Sequence, residues 1–247
     1  MNFNEVADLS NPKPHTMPTN EIFIKYMKNM DIRKSDTLIL YDRVNVFSSP
    51  RAFLTFKWFG HNNVYILNGG FPRYQELNGE IEKDDLFKIT KQNELRKNIP
   101  IKDDDFNYNL DKSRVYDLPK LLENKENASI IDARSEERYN GKVQEPRKAL
   151  RLGHIKGALS IFFKHLIDQN GKYKSNEEIE AIFNKNGLNI DKPIIGYCGT
   201  GLTACIDLFA LALIGKEKNI RLYDGSWFDY GNIPDDELKK LQEQYSK

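Results

Sequence analysis

Residues 193–204 have the sequence Pro-Ile-Ile-Gly-Tyr-Cys-Gly-Thr-Gly-Leu-Thr-Ala, and this stretch decides the fold that we expect. Its first five residues are typical of a buried strand, and an apolar helix is predicted directly after it, at 204–214. Cys198 follows the strand, near the start of this helix, where free backbone N–H groups and the helix dipole favour a thiolate. Gly199 and Gly201 allow the loop to curl so that its N–H groups bind an anion. We therefore predict that Cys198 is a nucleophile.

Two parts of the sequence agree when the chain is shifted by 156 positions. The agreement extends over more than fifty residues without a gap, which indicates two copies of one structural unit. The matching positions are 19–21 with 175–177, 38–41 with 194–197, 68–71 with 224–227, and Tyr74 with Tyr230. In the first copy the position of Cys198 is taken by Asp42. We therefore expect the first copy to share the fold of the second and to be chemically silent.

Each copy contains the same order of predicted elements: an amphipathic helix with a polar N-cap, an apolar strand, a loop, an apolar helix and a second strand. The predicted spans are 21–30, 38–41, 52–59 and 64–67 in the first copy and 177–186, 193–197, 204–214 and 220–223 in the second. Strands that alternate with helices in short succession predict a parallel sheet flanked by helices. The expected fold class is α/β.

The second copy is preceded by a section that has no counterpart in the first. Residues 115–160 contain a predicted helix at 118–123 and a predicted strand at 128–132, so the first domain is expected to lack its N-terminal βα segment. A truncated sequence and a naturally reduced first domain are both compatible with this pattern. We predict a non-catalytic domain at 1–84, a polar linker at 85–112 and a catalytic domain at 113–247.

The composition argues against several classes of protein. With 37 basic and 36 acidic residues the net charge is +1, so no nucleic-acid partner is expected. No apolar run approaches the roughly 20 residues that cross a bilayer, and no targeting peptide is recognisable. We expect a cytoplasmic protein without a membrane partner, or a mitochondrial one if an N-terminal segment is missing. Cys198 and Cys205 would lie about 10 Å apart on a helix, too far for a disulfide, and no metal site or cofactor is expected.

Several motifs together resemble the tandem-domain rhodaneses, and above all the 3-mercaptopyruvate sulfurtransferases. These motifs are the repeat, Gly-His-Ile-Lys-Gly-Ala at 153–158, Cys-Gly-Thr-Gly-Leu-Thr at 198–203 and Tyr-Asp-Gly-Ser-Trp at 223–227. The resemblance implies two rhodanese-like domains. It also implies that the cysteine takes sulfur from a small-molecule donor, becomes a persulfide and passes the sulfur on. The implied acceptor is a small thiol, a thioredoxin-like protein or cyanide.

The cysteine loop favours sulfur chemistry over phosphate chemistry. Related phosphatases need an arginine six positions after the cysteine to clamp phosphate, and that position is Ala204. The loop side chains are neutral, whereas superfamily members that prefer the thiosulfate dianion tend to carry cations there. 3-Mercaptopyruvate is therefore the expected donor and thiosulfate a poorer one, with the Thr200 hydroxyl assisting proton transfer. The loop residues expected to bind the substrate are Gly199, Gly201, Leu202 and Thr203.

Two arginines are expected to hold the carboxylate and the ketone of the donor. The resemblance implies Arg138 and Arg147, and forked guanidinium donors fit a carboxylate bidentately. A surface ion pair with a neighbouring glutamate, Glu136 or Glu145, is the alternative for each. Arg134 is expected to form a structural ion pair, and His154 to cap local backbone.

The proton relay is the part of the resemblance from which this sequence departs. The family has a first-domain aspartate that is thought to complete the relay, and here that position is Asn4. A carboxamide orients a hydroxyl but does not take its proton. His15 matches a family histidine and is either a relay residue at the interdomain cleft or a loop residue without catalytic consequence. Asn4 and the shortened first domain motivate an alternative function, a rhodanese-like binding or regulatory module with little activity.

Overall fold

The structure is a computed structural model that describes residues 6–7, 10–81 and 99–245. The elements of the first repeat are α1 (Asn20–Asn29), β1 (Leu38–Leu40), α2 (Ser49–Trp58), β2 (Val64–Ile66) and α3 (Gly70–Glu76). The two strands pair in parallel. The polar start of α1 acts as the predicted N-cap, because Thr19 Oγ1 accepts a hydrogen bond from Ile22 N–H (3.3 Å).

The second repeat is built on a five-stranded parallel sheet with the strand order β3-β7-β6-β4-β5. Its strands are β3 (Val115–Tyr116), β4 (Ser129–Asp132), β5 (Ala158–Ser160), β6 (Ile194–Tyr197) and β7 (Ile220–Tyr223). Its α-helices are α4 (Leu118–Asn124), α5 (Glu136–Tyr139), α6 (Asn176–Lys185), α7 (Ala204–Leu213), α8 (Ser226–Tyr230) and α9 (Asp235–Tyr245). Short 3₁₀ turns lie at Asp103–Phe106, Phe163–Leu166 and Glu217–Asn219. None of the described helices is long and apolar enough to cross a membrane.

The predicted α/β fold with two parallel, helix-flanked sheets is confirmed. β1 and β2 correspond to β6 and β7, and the same backbone hydrogen bond recurs after each first strand. Phe71 N–H donates to Asp42 O (2.8 Å), and Trp227 N–H donates to Cys198 O (3.0 Å). The predicted start of α2 at residue 52 is wrong, because the helix begins three residues earlier. Pro50 lies in its first turn, where a missing N–H removes no helical hydrogen bond.

The two repeats share one hydrophobic core. In this core α2 of the first repeat packs against α7 of the second. Phe53 and Phe209 meet edge to face there, with ring centroids 4.7 Å apart. Because α7 directly follows the cysteine loop, this contact brings the first repeat against the loop.

One face of the β1–β2 sheet is exposed. Ile39, Tyr41 and Tyr65 are 64%, 57% and 58% exposed. In the second repeat Ile39 and Tyr41 correspond to Ile195 and Tyr197. Both of these residues are buried in a second hydrophobic cluster, to which α4 and α9 contribute. Within the described ranges the first repeat has no counterpart of β4, β5 or α4.

Part of the predicted linker packs on the first repeat. Tyr108 is buried, with its ring edge-on to Phe23 (5.2 Å between centroids) and its hydroxyl 3.1 Å from His61 Nδ1. Asp111 N–H donates to Trp58 O (2.7 Å). Residues 82–98, which include the first half of the predicted linker, lie outside the described residues.

Candidate active site

Cys198 follows β6, the central strand of the five-stranded sheet. The cysteine is buried, and its N–H donates to Ser226 Oγ (3.2 Å). Ser226 has a φ of 53°, a left-handed conformation that few residues other than glycine adopt. Its hydroxyl also donates to Tyr223 O (3.0 Å), so its hydrogen bonds hold it in this conformation. The motif at 223–227 therefore fixes the backbone of the cysteine.

The cysteine loop needs glycine at two positions. A Cβ at Gly199 would lie 2.9 Å from Arg138 Nη2, so a side chain there would displace the arginine. Gly201 has a φ of +77°, and a Cβ there would lie 3.0 Å from Asp224 O. α7 begins directly after the loop, so the predicted order of strand, loop and helix is confirmed.

A cavity of about 180 Å³ opens over the cysteine loop. It brings together most of the predicted site residues, namely Arg138, Arg147, Cys198, Gly199, Thr200, Leu202 and Thr203. Phe47 of the first repeat forms part of its wall, so the cavity lies between the two repeats. Gly201 is not in the wall, and Asn4 lies outside the described residues. Among the residues that the structure describes, no cluster of His, Cys, Asp or Glu is arranged to hold a metal ion.

His15 lies at the interdomain cleft, where its Nδ1 is 2.9 Å from Thr200 Oγ1. Burial lowers the pKa of His15 below its ordinary value of 6.5. The positive charges of Arg147 and Arg51 lower this pKa further, and Asp224 opposes them. His15 is therefore neutral at neutral pH, and a neutral imidazole can exchange a proton with a hydroxyl.

Arg138 lines the cavity, as expected of a residue that binds the substrate. It also forms an ion pair with Glu145, which the sequence offered as the alternative to substrate binding. Arg138 Nε donates to Glu145 Oε1 (3.1 Å), and Arg138 Nη2 donates to Glu145 Oε2. Arg134 donates to the same carboxylate (2.8 Å), so the largely buried side chain of Glu145 orients two guanidinium groups. Arg147 lies in the wall of the same cavity and makes no ion pair with any described residue. The ion pair of Arg138 is thus compatible with contact to a ligand, because it leaves Nη1 unused.

Arg134 and His154 have the structural roles expected of them. Arg134 is buried, pairs with Asp132 (2.6 Å) and stacks over the ring of Trp227 (4.3 Å to the centroid). His154 stacks on Tyr139 with ring centroids 3.8 Å apart, and its Nδ1 lies 3.0 Å from Tyr139 O. Both side chains therefore stabilise the segment that carries Arg138.

Arg51 connects the first repeat to the cysteine loop, and no pattern in the sequence predicts this role. Arg51 belongs to α2 and is only 1% exposed. Its Nη2 donates to Asp224 Oδ1 and to His15 O (2.8 Å each), and its Nη1 donates to Gly201 O (3.3 Å). Burial alone would lower the pKa of Arg51, but the Asp224 carboxylate outweighs it and raises this pKa. The only signal in the sequence is a charged residue at the edge of an apolar helix, and it does not identify these partners.

Asp42, in the position of Cys198, closes the corresponding loop of the first repeat. Its carboxylate accepts hydrogen bonds from the N–H groups of Phe47 (2.9 Å), Ser48 (3.0 Å) and Ser49 (3.0 Å), and from the Ser48 hydroxyl. Burial raises the pKa of Asp42, but these hydrogen bonds outweigh it and hold the pKa below its ordinary value. The carboxylate thus occupies the free N–H groups at the start of α2.

Two further titratable residues, Cys205 and Asp207, lie behind the cysteine loop on α7. Burial raises the pKa of the Cys205 thiol to about 12, and this thiol donates to Gly201 O (3.3 Å), as suits a core residue. Asp207 is buried, and neither carboxylate oxygen has a hydrogen-bond partner among the described residues. Burial, followed by the charges of Cys198 and Asp132, raises the pKa of Asp207 well above its ordinary value. Both cysteines are free thiols.

Comparisons with known proteins identify the family of this chain. The sequence matches the rhodanese-like domain family over residues 2–77 and 115–232. It is 38% identical over 239 residues to the 3-mercaptopyruvate sulfurtransferase of Escherichia coli O157:H7, an alignment that covers 95% of this chain and 80% of the relative.

Two solved structures have the same fold over most of their length. The Tum1 protein from Saccharomyces cerevisiae superimposes with a TM-score of 0.79 at 29% identity, covering 93% of this chain and 77% of that one. The 3-mercaptopyruvate sulfotransferase SseA from Escherichia coli superimposes with a TM-score of 0.75 at 34% identity, covering 92% of this chain and 80% of that one. This chain therefore belongs to the rhodanese family, in the group of two-domain sulfurtransferases that includes the 3-mercaptopyruvate sulfurtransferases.

Proposed function

We propose that this sulfurtransferase takes sulfur from 3-mercaptopyruvate, carries it as a persulfide on Cys198 and passes it to a thiol. The cavity over Cys198 carries the proposal, because two arginines and the Thr200 hydroxyl line it. The imidazole of His15 pairs with that hydroxyl from outside the cavity wall. The donor has a carboxylate and a ketone, and planar guanidinium groups bind such oxygens well. The names of several relatives point to the same donor.

In the first half-reaction the Cys198 thiolate attacks the thiol sulfur of the donor. A sulfur–sulfur bond forms, the carbon–sulfur bond breaks, and its electron pair remains on carbon as the enolate of pyruvate. The proton of the donor thiol reaches that carbon through Thr200 and His15, and pyruvate leaves. The N–H groups of the loop from Gly199 to Thr203 stabilise the persulfide anion that remains.

The donor is held by groups with separate tasks. Arg147 has no ion pair within the described residues, and we assign it to the donor carboxylate. Arg138 is oriented by Glu145, and its free Nη1 is assigned to the ketone oxygen. Thiosulfate is proposed as the poorer donor, because the side chains of the loop around Cys198 are neutral and offer no charge to its two anionic oxygens.

In the second half-reaction an acceptor thiolate attacks the outer sulfur of the persulfide. The sulfur–sulfur bond breaks, the Cys198 thiolate forms again, and the acceptor leaves as a persulfide. The proposed acceptor is a small thiol or a thioredoxin-like protein, and cyanide would leave as thiocyanate. We propose a cytoplasmic location, without a nucleic-acid or membrane partner.

Intact-mass spectrometry tests the persulfide directly. After incubation with 3-mercaptopyruvate, the wild type and Cys205→Ser are expected to gain one sulfur atom, and Cys198→Ser none. Peptide mapping should locate the sulfur on Cys198. A folded wild type with a free Cys198 thiol that gains no sulfur would overturn the proposal.

A binding or regulatory module with little turnover is the second candidate, and Asn4 is the observation that favours it. Steady-state release of pyruvate separates the two functions, since only an active enzyme releases many pyruvates per chain. Asn4→Asp, which restores the carboxylate of the family, should raise turnover strongly if the relay limits the rate. An unchanged turnover would show that Asn4 is not part of the relay.

A further inference from the structure

A buried ionic network joins the first repeat to the cysteine loop. Arg51 donates to Asp224, to the carbonyl of His15 and to the carbonyl of Gly201. The second carboxylate oxygen of Asp224 accepts a hydrogen bond from Met17 N–H (2.6 Å). The network thus contains a full positive and a full negative charge, both largely shielded from solvent, and it ties four separate segments of the chain together.

Each contact of Arg51 acts beside a group that takes part in the proposed chemistry. Gly201 directly follows Thr200, so the bond to its carbonyl fixes the backbone next to the relay hydroxyl. The His15 carbonyl belongs to the residue whose imidazole lies 2.9 Å from that hydroxyl. Asp224 begins the turn that binds the backbone of the nucleophile.

We propose that Arg51, although it belongs to the first repeat, is a positioning residue for sulfur transfer. It sets the distance between His15 and Thr200 and the shape of the cysteine loop. This inference rests on the proposed function. A guanidinium suits the task because its planar fork serves three acceptors in fixed directions, and the ammonium group of lysine lacks that geometry. The positive charge of Arg51 also favours the neutral imidazole, because it lowers the pKa of His15.

Arg33 offers a matched control in the same repeat. It is also a buried arginine, and it pairs with Asp31 (3.3 Å). Its Nη1 donates to the carbonyls of Ile99 (3.2 Å) and Pro100 (3.3 Å). These acceptors are not part of the cavity wall, so replacing Arg33 perturbs a comparable buried network away from the cysteine.

The test compares Arg51→Lys with Arg33→Lys in the full chain, below the melting temperature of each variant. Rapid-quench measurement of the Cys198 persulfide gives the rate of the first half-reaction, and pyruvate release gives kcat and KM. Arg51→Lys is expected to slow persulfide formation by about 10- to 100-fold, since a misplacement of about 1 Å costs up to about 100-fold. Its KM for 3-mercaptopyruvate should change by less than about threefold, and Arg33→Lys should keep the wild-type rate within about twofold.

The titration of His15, followed by NMR of its ring, is a readout that a general loss of stability does not move. Arg51→Lys is expected to shift this titration, because the lysine ammonium group cannot serve all three acceptors and its charge takes another position relative to the ring. Arg33→Lys is expected to leave the titration unchanged. A folded Arg51→Lys with the wild-type rate and titration would overturn the proposal, and so would equal losses of rate in the two variants. Arg51→Gln replaces the lysine variant if that one does not fold. If the wild type forms no persulfide, the proposed function fails, and the titration alone decides the role of Arg51.

Discussion

Replacing Asp207 with asparagine is expected to stabilise the protein increasingly as the pH rises. Asp207 is fully buried on α7, without a hydrogen-bond partner for either oxygen in the described part of the chain. Burial raises its pKa well above the ordinary value, and the charges of Cys198 and Asp132 add to this effect. Asparagine has nearly the same shape and no titrating proton, so the substitution removes the titration and keeps the packing.

The magnitude of this effect follows from the protons bound by each state. Above the ordinary carboxyl pKa of 3.8, the unfolded chain has released the proton of Asp207, whereas the folded chain keeps it up to the raised pKa. The folded state then binds the extra proton, so the free energy of unfolding falls as the pH rises through this window. Each pH unit inside the window adds about 1.4 kcal/mol to the advantage of Asp207→Asn.

Urea unfolding followed by circular dichroism measures this difference. Wild type and variant are compared in half-unit steps upward from pH 4, with both cysteines kept reduced. Asp236→Asn, at an exposed position on α9, is the control for the loss of one carboxyl group. A difference between wild type and Asp207→Asn that stays constant over the whole range would refute the reasoning, because Asp207 would then titrate alike in both states.

Three other substitutions test the cavity, the relay and the exposed face of the first repeat. Arg147→Lys loses the forked donor pair, and kcat/KM for 3-mercaptopyruvate, measured as pyruvate release, should fall by about 10- to 100-fold with the melting temperature unchanged. His15→Gln should slow persulfide formation by about 100-fold. Because only neutral His15 accepts a proton and its pKa lies below 6.5, the wild-type rate should fall at acid pH, and a variant that keeps this fall would contradict the relay. Ile39→Lys should change the free energy of unfolding by less than about 0.5 kcal/mol and reduce light scattering on heating, whereas a large loss of stability would mean that this face is covered.

The repeat and the cysteine loop are predictable because their signals are local. Apolar runs, polar N-caps and glycines recur at fixed spacing, and these patterns report on backbone conformation within one segment. Thr19 and Ser175 cap their helices as the sequence indicates. The start of α2 is the exception, because Pro50 fits the first turn of a helix as well as the preceding loop.

The contacts between the repeats are not predictable in this way. Arg51 and Asp224 are 173 positions apart, and His15 and Thr200 are 185 positions apart. A pattern along the chain shows that such residues are polar, but the packing of α2 on α7 decides which of them meet. The sharing of Glu145 by two arginines has the same origin, because it depends on how the chain folds back after β4.

Asp42 prevents the loop of the first repeat from binding the donor in competition with the cysteine loop. A loop with free N–H groups at a helix start would attract the same small anions as the catalytic loop, and every anion bound there would be withheld from Cys198. The side chain of Asp42 is a permanently bound anion that no solute can displace at low concentration, because it is tethered to the loop it fills. Two copies of one fold can therefore lie side by side, and of their two corresponding loops only the one that follows β6 is open to the donor.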